Sequence, residues 1–367
     1  MHLIDALDAG GAERVAVNMA NLLPADRYAA HLCTTRRDGA LDSLVAPHVG
    51  RLRLRRRSTF DLAAIHRLRQ YVARHDIRIL HAHETALFTA TAAALLPPFP
   101  AVVWHDHFGR HGIEARRLSL YRLPARRARA VISVSPALAE WAVQSLGLPI
   151  DRVHFIPNFV APATAVAVPP LPGSPGSRIV CVANFRRQKD HPTLLRALAI
   201  VRSASPTAHL LLAGDEVDAA YAAEVRRTAA DLGVDDRVTF LGSRDDVAGI
   251  LRGSDVGVLS SASEGLPLAL LEYGHAALAT VATSVGASAE VLADGAAGRL
   301  VPAGHPAALA AAIVDLLDHP ERRRDLGRAL QAHVMRNFSG EAGIARVAAL
   351  YDRILGVVGE PSPAPAF

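Results

Sequence analysis

Short apolar runs alternate along this chain with longer stretches whose apolar residues recur every three or four positions. The runs read as buried strands and the longer stretches as helices. "HLIDAL" leads into a helix from Ala12 to Leu23, and "AAHLCTT" follows it. "IRILHAH", "AVVWHDH", "AVISVS" and "RVHFIPN" come next, with helical stretches between most of them. Further on, "RIVCVANF" precedes a helix opening at Pro192, then "AHLLLAGD", a helix through Arg226, and "RVTFLGS". "DVGVLSS", a helix from Pro267, "ATVATSVG" and "GRLVP" complete the series. Buried strands separated by helices predict parallel sheets with right-handed crossovers.

The alternation breaks at "NFVAPATAVAVPPLPGSPGSR" (Asn158 to Arg178), where Pro, Gly and Ser displace any helical pattern. That chemistry marks a linker. The 367 residues are too many for one ordinary core. A first domain is expected at 1–160, the linker at 161–177 and a second domain at 178–340. Residues 341–367 are expected to form a terminal helix that packs back toward the first domain and ends in a disordered, Pro-rich tail. The fold class is α/β, with two Rossmann-like domains facing an interdomain cleft. Ligands of such sheets bind beyond the carboxyl ends of the strands, so motifs at those ends carry the functional argument.

Composition narrows the classes. Hydrophobic residues at 50% and charged residues at 20% describe a globular chain. The longest apolar stretch, Thr85 to Trp104, is interrupted by Pro97, Pro98 and Pro100 and so reads as helix, turn and strand. "MHLIDALDAGG" has acidic residues where a signal peptide carries its apolar segment. The two cysteines, Cys33 and Cys181, lie far apart in strand-like runs, which argues against a disulfide framework or a zinc site. A cytoplasmic setting is expected. Residues 1–165 hold 21 Arg and 13 acidic residues, a net of +8, while the remainder carries a net of −3. A basic half can face nucleic acid, an anionic membrane or an anionic substrate. Its densest run, "RLRLRRR" (Arg51 to Arg57), lacks interleaved aromatics, so a solvated strand and turn explains it at least as well as a docking patch.

The chemistry concentrates in "SSASEGLPLALLEYG" (Ser260 to Gly274). Glu264 falls in the loop after a strand, just before a helix beginning around Leu266–Pro267. Proline suits a first helical turn because its missing N–H would be unpaired there. The backbone N–H groups of Gly265, Leu266 and Leu268 at that end favour an anion. Glu272 follows two turns later on nearly the same side. Two carboxylates beside an anion site can take sugar hydroxyls while the amides take phosphate, although a capping and a surface glutamate would also account for the pair. "CVANFRRQKDH" (Cys181 to His191) places Arg186, Arg187 and Lys189 at another strand end. Lys189 is the only lysine in the chain. A planar guanidinium and a compact ammonium can grip one diphosphate in different ways.

These residues resemble the retaining GT-B glycosyltransferases of family 4, and the resemblance covers nearly the whole chain. It runs from "LIDALDAGGAERVAVNMANLL" through "VISVSPALAEWAV" and "RVHFIPN" to "FLGSRDDVAGILRGSDVGVLSSASEGLPLALLE" and "GASAEVLADGAAGRLVP". It implies that Glu264 contacts donor sugar hydroxyls beside the anomeric carbon, that Glu272 holds the nucleotide ribose and that Lys189 binds the diphosphate. It puts Arg244, in "GSRDD", near the nucleobase, and Gly10 and Gly11, in "AGGAE", near the phosphates and acceptor. His105 takes the place of the family's cleft histidine beside the reacting carbon, and His107 shapes the acceptor pocket. A strand-capping role would also account for either histidine. The H-x-H spacings at His81–His83 and His105–His107 come without a zinc pattern, and D-x-D is absent, so no metal is expected. Asn184 stands where family members commonly carry arginine, and Arg186 or Arg187 could supply that phosphate contact. Ala277 and Ala279 replace a usual Gly and Pro.

Family membership implies retention at the anomeric carbon and a nucleoside-diphosphate sugar as donor substrate, with no separate cofactor. The expected acceptor is a glycan, a lipid-linked group or a small molecule, in cell-surface polysaccharide or glycoconjugate synthesis. The basic first half leaves room for peripheral contact with an anionic membrane, at the inner face of the cell membrane; nucleic acid is not expected as a partner. A sugar-nucleotide epimerase of similar fold, or a non-catalytic sugar-nucleotide-binding subunit, are the alternatives. Replacing Glu264 or Lys189 by alanine is expected to cost orders of magnitude in transfer while the protein stays folded.

Overall fold

A computed structural model of the chain describes residues 1–8, 10–58, 61–108, 117–159 and 167–357. Residues 161–166 of the expected linker and the Pro-rich tail from 358 lie outside the described residues. The chain divides into two compact units, with boundaries after Phe159 and between Ser339 and Gly340, and the stretch from Gly340 groups with the first unit.

The first unit is built on seven strands: β1 (His2–Ile4), β2 (His31–Thr34), β3 (Gly50–Arg53), β4 (Ile79–His83), β5 (Ala101–Asp106), β6 (Ala130–Ser133) and β7 (Val153–Phe155). Their order is β3-β2-β1-β4-β5-β6-β7, and every pair is parallel. The order reverses between β1 and β4. Strand periodicity sends Leu80, Ala82, Val102 and Trp104 into one apolar core. The alternate positions, His81, His83 and His105, are buried on the opposite face.

The terminal helix Gly340–Leu355 completes this unit. Tyr28 donates to Ala348 O at 3.2 Å and to Asp352 Oδ1 at 2.8 Å, and Arg27 pairs with Asp352 at 2.6 Å. A Cβ at Gly343 would stand 2.1 Å from the Phe159 ring, so the helix approaches closely at that residue. The arginine run is not uniformly solvated: Arg53, Arg55 and Arg57 are exposed, while others turn inward. Arg51 and Arg53 pair with Asp42 across the strand edge, while Leu54 is buried. Arg56 is buried against Asp5, at 2.9 Å.

The second unit holds β8 (Arg178–Val182), β9 (His209–Ala213), β10 (Val238–Gly242), β11 (Val256–Leu259), β12 (Ala279–Thr283) and β13 (Arg299–Val301). Their order is β10-β9-β8-β11-β12-β13, again all parallel. Here the reversal falls between β8 and β11. The loops leaving those two strands carry the lysine and glutamate motifs, so both reach the switch point where such sheets receive ligands. The helix after the glutamate spans Leu268–His275, with Pro267 as its cap rather than inside its first turn.

Candidate active site

The switch point of the second sheet is pinned from below and tied across its top. Below, the fully buried Tyr273 accepts a hydrogen bond from Val182 N at 2.9 Å and donates to Val258 O at 3.2 Å, bridging β8 and β11. Above, Ser260 Oγ reaches Lys189 O at 3.0 Å and Asp190 O at 3.1 Å, and Ala262 N donates to Gln188 O at 2.8 Å. Asp190, at φ 47°, turns the chain sharply and caps the helix His191–Ala204 by accepting from Thr193 N. The turn Arg187–Lys189 is thereby held against the loop of Glu264.

The result is a partly buried ion pair. Lys189 Nζ lies 2.5 Å from Glu264 Oε1, with side chains 18% and 6% exposed. Ser261 Oγ donates to the same oxygen at 2.6 Å. One ammonium and one carboxylate therefore stand side by side at the sheet edge, each bonded to the other. The thiol of Cys181 underneath is buried, and that burial pushes it up to about 12.

The Glu264 loop is seated on the end of β12. Ala287 N donates to Gly265 O at 2.8 Å, and Gly286 sits at φ +55° directly against this backbone. A Cβ there would lie 2.3 Å from Glu264 O. Gly286→Ala is expected to cost about 3 kcal/mol, combining left-handed backbone strain with overpacking. Urea denaturation measures the cost, and a change below 1 kcal/mol would show that the loop yields.

The other basic residues separate. Arg187 turns to Glu224, at 2.9 Å, and lies over the Tyr221 ring, 5.3 Å from its centroid. Arg186 is exposed and makes no ion pair among the described residues, so it is the one available to an anion. Asn184 has taken a different job from the family's arginine. Its Oδ1 accepts from Asp215 N at 2.9 Å, stitching the β8 and β9 loops together. Arg244 forms a two-point pair with Asp246, at 2.8 and 2.6 Å. It follows β10, two strands from β8 and hence about 10 Å across the sheet from the Lys189 loop. Gly265, Leu266 and Pro267 are buried in the loop, while Leu268 and Glu272 are half-buried on the helix. Sequence reasoning missed Tyr273 as a brace, Ser260 and Ser261 as its polar ties, and Gly286. Their signal was a hydroxyl pair and a glycine at strand ends.

Gly11, His105 and His107 belong to the first unit. Gly11 opens the helix Gly11–Leu22, capped by Gly10. At the neighbouring end of β1, Asp5 accepts from Thr85 Oγ1 at 2.7 Å and from Arg56 at 2.9 Å, and with Thr35 these bonds outweigh burial to hold its carboxyl below the usual range.

Beside this network five buried histidines form two ring-to-ring chains. Tyr351 OH lies 2.6 Å from His81 Nδ1, whose Nε2 lies 3.0 Å from His105 Nδ1. His2 Nδ1 lies 3.2 Å from His83 Nε2, and His83 Nδ1 lies 3.0 Å from His107 Nε2. Burial, the largest cause for each, holds His2, His81, His83 and His105 well below the ordinary imidazole value. Burial also pushes His107 down to about 3, against a hydrogen bond with Asn158. All five are neutral at pH 7. Two groupings, His2–His81–His83 and His83–His105–His107, gather ring nitrogens within 4.8 Å, a donor set that suits a transition metal. The sequence reading weighed the two H-x-H spacings separately; that β1, β4 and β5 lie side by side and gather these rings was not visible in it. His105 lies beneath the edge at 0% exposure with His107 stacked on it, centroids 4.0 Å apart. His107, at 9%, is the outer of the two.

Two parallel-sheet units, the second with a braced lysine–glutamate pair at its switch point, make a two-domain α/β protein. Residues 9–164 match the family described as Glycosyltransferase Family 4, and residues 176–319 match Glycosyl transferases group 1. The chain belongs to this family, and its fold is the GT-B architecture.

Among curated relatives, a phosphatidyl-myo-inositol mannosyltransferase of Mycolicibacterium smegmatis is 29% identical over 73% of this chain and 69% of its own length. An N-acetyl-alpha-D-glucosaminyl L-malate synthase of Bacillus anthracis is 29% identical over 48% of this chain and 45% of its own. The lipopolysaccharide core mannosyltransferase LpcC of Rhizobium leguminosarum is 31% identical over 50% and 53%. The chain thus spans about half the length of two of these three relatives. Among solved structures, Anabaena HepE in complex with UDP and glucose superposes with a TM-score of 0.82 at 21% identity, covering 96% of this chain and 98% of that one. A glycosyltransferase of Rickettsia africae gives 0.80 at 16%, covering 96% and 97%. Among the described residues, no helix is long and apolar enough to cross a membrane.

Proposed function

We propose that this chain is a retaining glycosyltransferase that moves a sugar from a nucleoside-diphosphate donor to a glycan, lipid-linked or small-molecule acceptor in cell-surface glycoconjugate synthesis. The observation that carries the reading is the Lys189–Glu264 pair at the switch point of the second sheet. A sugar diphosphate presents an anion and hydroxyls a few ångströms apart, and this pair answers both. Lys189, Arg186 and the helix start at Leu268 receive the diphosphate, Glu264 the sugar hydroxyls and Glu272 the ribose. The Arg244 loop stands at base distance. Relatives that transfer mannose, and a HepE structure holding UDP and glucose, support the same class of donor.

In the reaction, the bond from the anomeric carbon to phosphate oxygen breaks as the acceptor oxygen bonds to that carbon from the same side. The acceptor's proton passes to a phosphate oxygen, and the diphosphate leaves. Charge on the leaving group grows where Lys189 and the helix amides stand, so no bound ion is required to stabilise it. The helix Leu118–Arg127 of the first unit exposes Leu120 and Leu123 among Arg122, Arg126 and Arg127, a composition suited to an anionic membrane surface.

The test is a thermal-shift and turnover screen with UDP-, GDP- and ADP-sugars, with acceptors offered in solution and in anionic vesicles. One nucleotide class is expected to raise Tm and to release its diphosphate only with an acceptor. A sugar isomerised without transfer, or binding of none of the donors, would overturn the reading.

A further inference from the structure

His105 Nε2 is buried and has no hydrogen-bond partner among the described residues, and the same is true of His2 Nε2 and His107 Nδ1 at the ends of the other histidine chain. A buried nitrogen of this kind is destabilising unless something pairs with it. The Tyr351 hydroxyl is fully buried, and its hydrogen-bond partner is His81 Nδ1. Burial raises its pKa, so the hydroxyl keeps its proton and must place it. Accepting from His81 would leave that proton unpaired in the interior, whereas donating to Nδ1 satisfies it. A neutral His81 then carries its single proton on Nε2 and donates to His105 Nδ1. A neutral His105 is left with its proton on Nε2.

Resting on the proposed transfer reaction, we infer that Tyr351, acting through His81, fixes His105 as a hydrogen-bond donor at Nε2 for a sugar or acceptor oxygen. Tyr351 and His81 are positioning residues, 270 positions apart in sequence and joined by the terminal helix. His105 in this tautomer has no lone pair at Nε2 and does not act as a general base. Its N–H, buried beneath the edge with the His107 ring stacked on it, serves an oxygen that gathers negative charge or a hydroxyl whose orientation matters.

The experiment uses the full-length protein and reads tautomers by nitrogen-15 NMR of the histidine rings, without substrate, alongside turnover. In the wild type, His105 is expected to carry its proton on Nε2. In Tyr351→Phe the ring packing persists but the donor is gone, and the His105 proton is expected to redistribute toward Nδ1. Turnover should fall about tenfold in kcat with the donor KM within twofold. His81→Gln, which keeps an N–H where His81 Nε2 stood, should retain the tautomer and most of the rate, while His81→Leu should lose both. A bare Nε2 in wild type, or a Tyr351→Phe variant with unchanged tautomer and rate, would overturn the relay. A wild type that transfers from no donor would overturn the functional reading instead, because the ring spectrum needs no substrate.

Discussion

Acidification from pH 7.5 to 5 is expected to unfold the first unit cooperatively. Five histidines there, His2, His81, His83, His105 and His107, are held neutral by burial, with folded values below the ordinary 6.5. The unfolded chain binds protons that the folded unit refuses. Stability is therefore complete above about pH 6.5 and declines as pH falls below it, by about 1.4 kcal/mol per pH unit for each group. Several such groups together exhaust a typical total of about 5–15 kcal/mol within one to two pH units. Trp104 and Trp141, the only tryptophans, both lie in the first unit, so indole fluorescence reports it selectively. A transition centred near pH 5 and steep enough for uptake of at least three protons is the expected result. Fluorescence that stays native to pH 4 would show that the rings are solvated or charged in the folded state.

Lys189→Ala is expected to lower transfer by about 10²–10³-fold and to destabilise the second unit by about 3 kcal/mol. The sequence alone predicts only the loss of activity, with the protein staying folded. The structure adds the second effect, since the carboxylate of Glu264 would remain buried with its partner removed. The double variant Lys189→Met with Glu264→Gln removes both charges and should recover most of the stability while transfer stays lost. Lys189→Arg should not restore transfer, because a planar fork cannot occupy the space of a compact ammonium 2.5 Å from Glu264. Chemical denaturation separates the stability effect from turnover. A Lys189→Ala enzyme with native turnover would remove this residue from the donor site.

The strand series and the edge on which the motifs fall were legible because buried parallel strands leave short apolar runs and ligands gather at their carboxyl ends. Lys189 and Glu264 were each legible as loop residues, but their contact was not. It depends on β8 and β11 lying side by side, which is a matter of strand order and not of spacing along the chain. Arg186 and Arg187 look alike in sequence, and only the position of Glu224 on a neighbouring helix distinguishes them. Asn184 reads as a missing cation until its bond to Asp215 N shows a bridge between loops. The histidine spacing was visible as two separate pairs. That they form one array with His2 and Tyr351 follows from β1, β4 and β5 being neighbours and from a helix that arrives at the end of the chain.

That last helix gives the chain an unusual order of assembly. The first unit begins with β1 but is closed by Gly340–Leu355, which supplies Tyr351 against His81 and Asp352 against Arg27 and Tyr28. The second unit is drawn wholly from the chain in between. During synthesis the strands of the first unit therefore wait for a helix made after the second unit, whose residues can finish their own core first. A chain ending at residue 339 would hold every residue of the second unit and a first unit in which His81 lacks its Tyr351 partner.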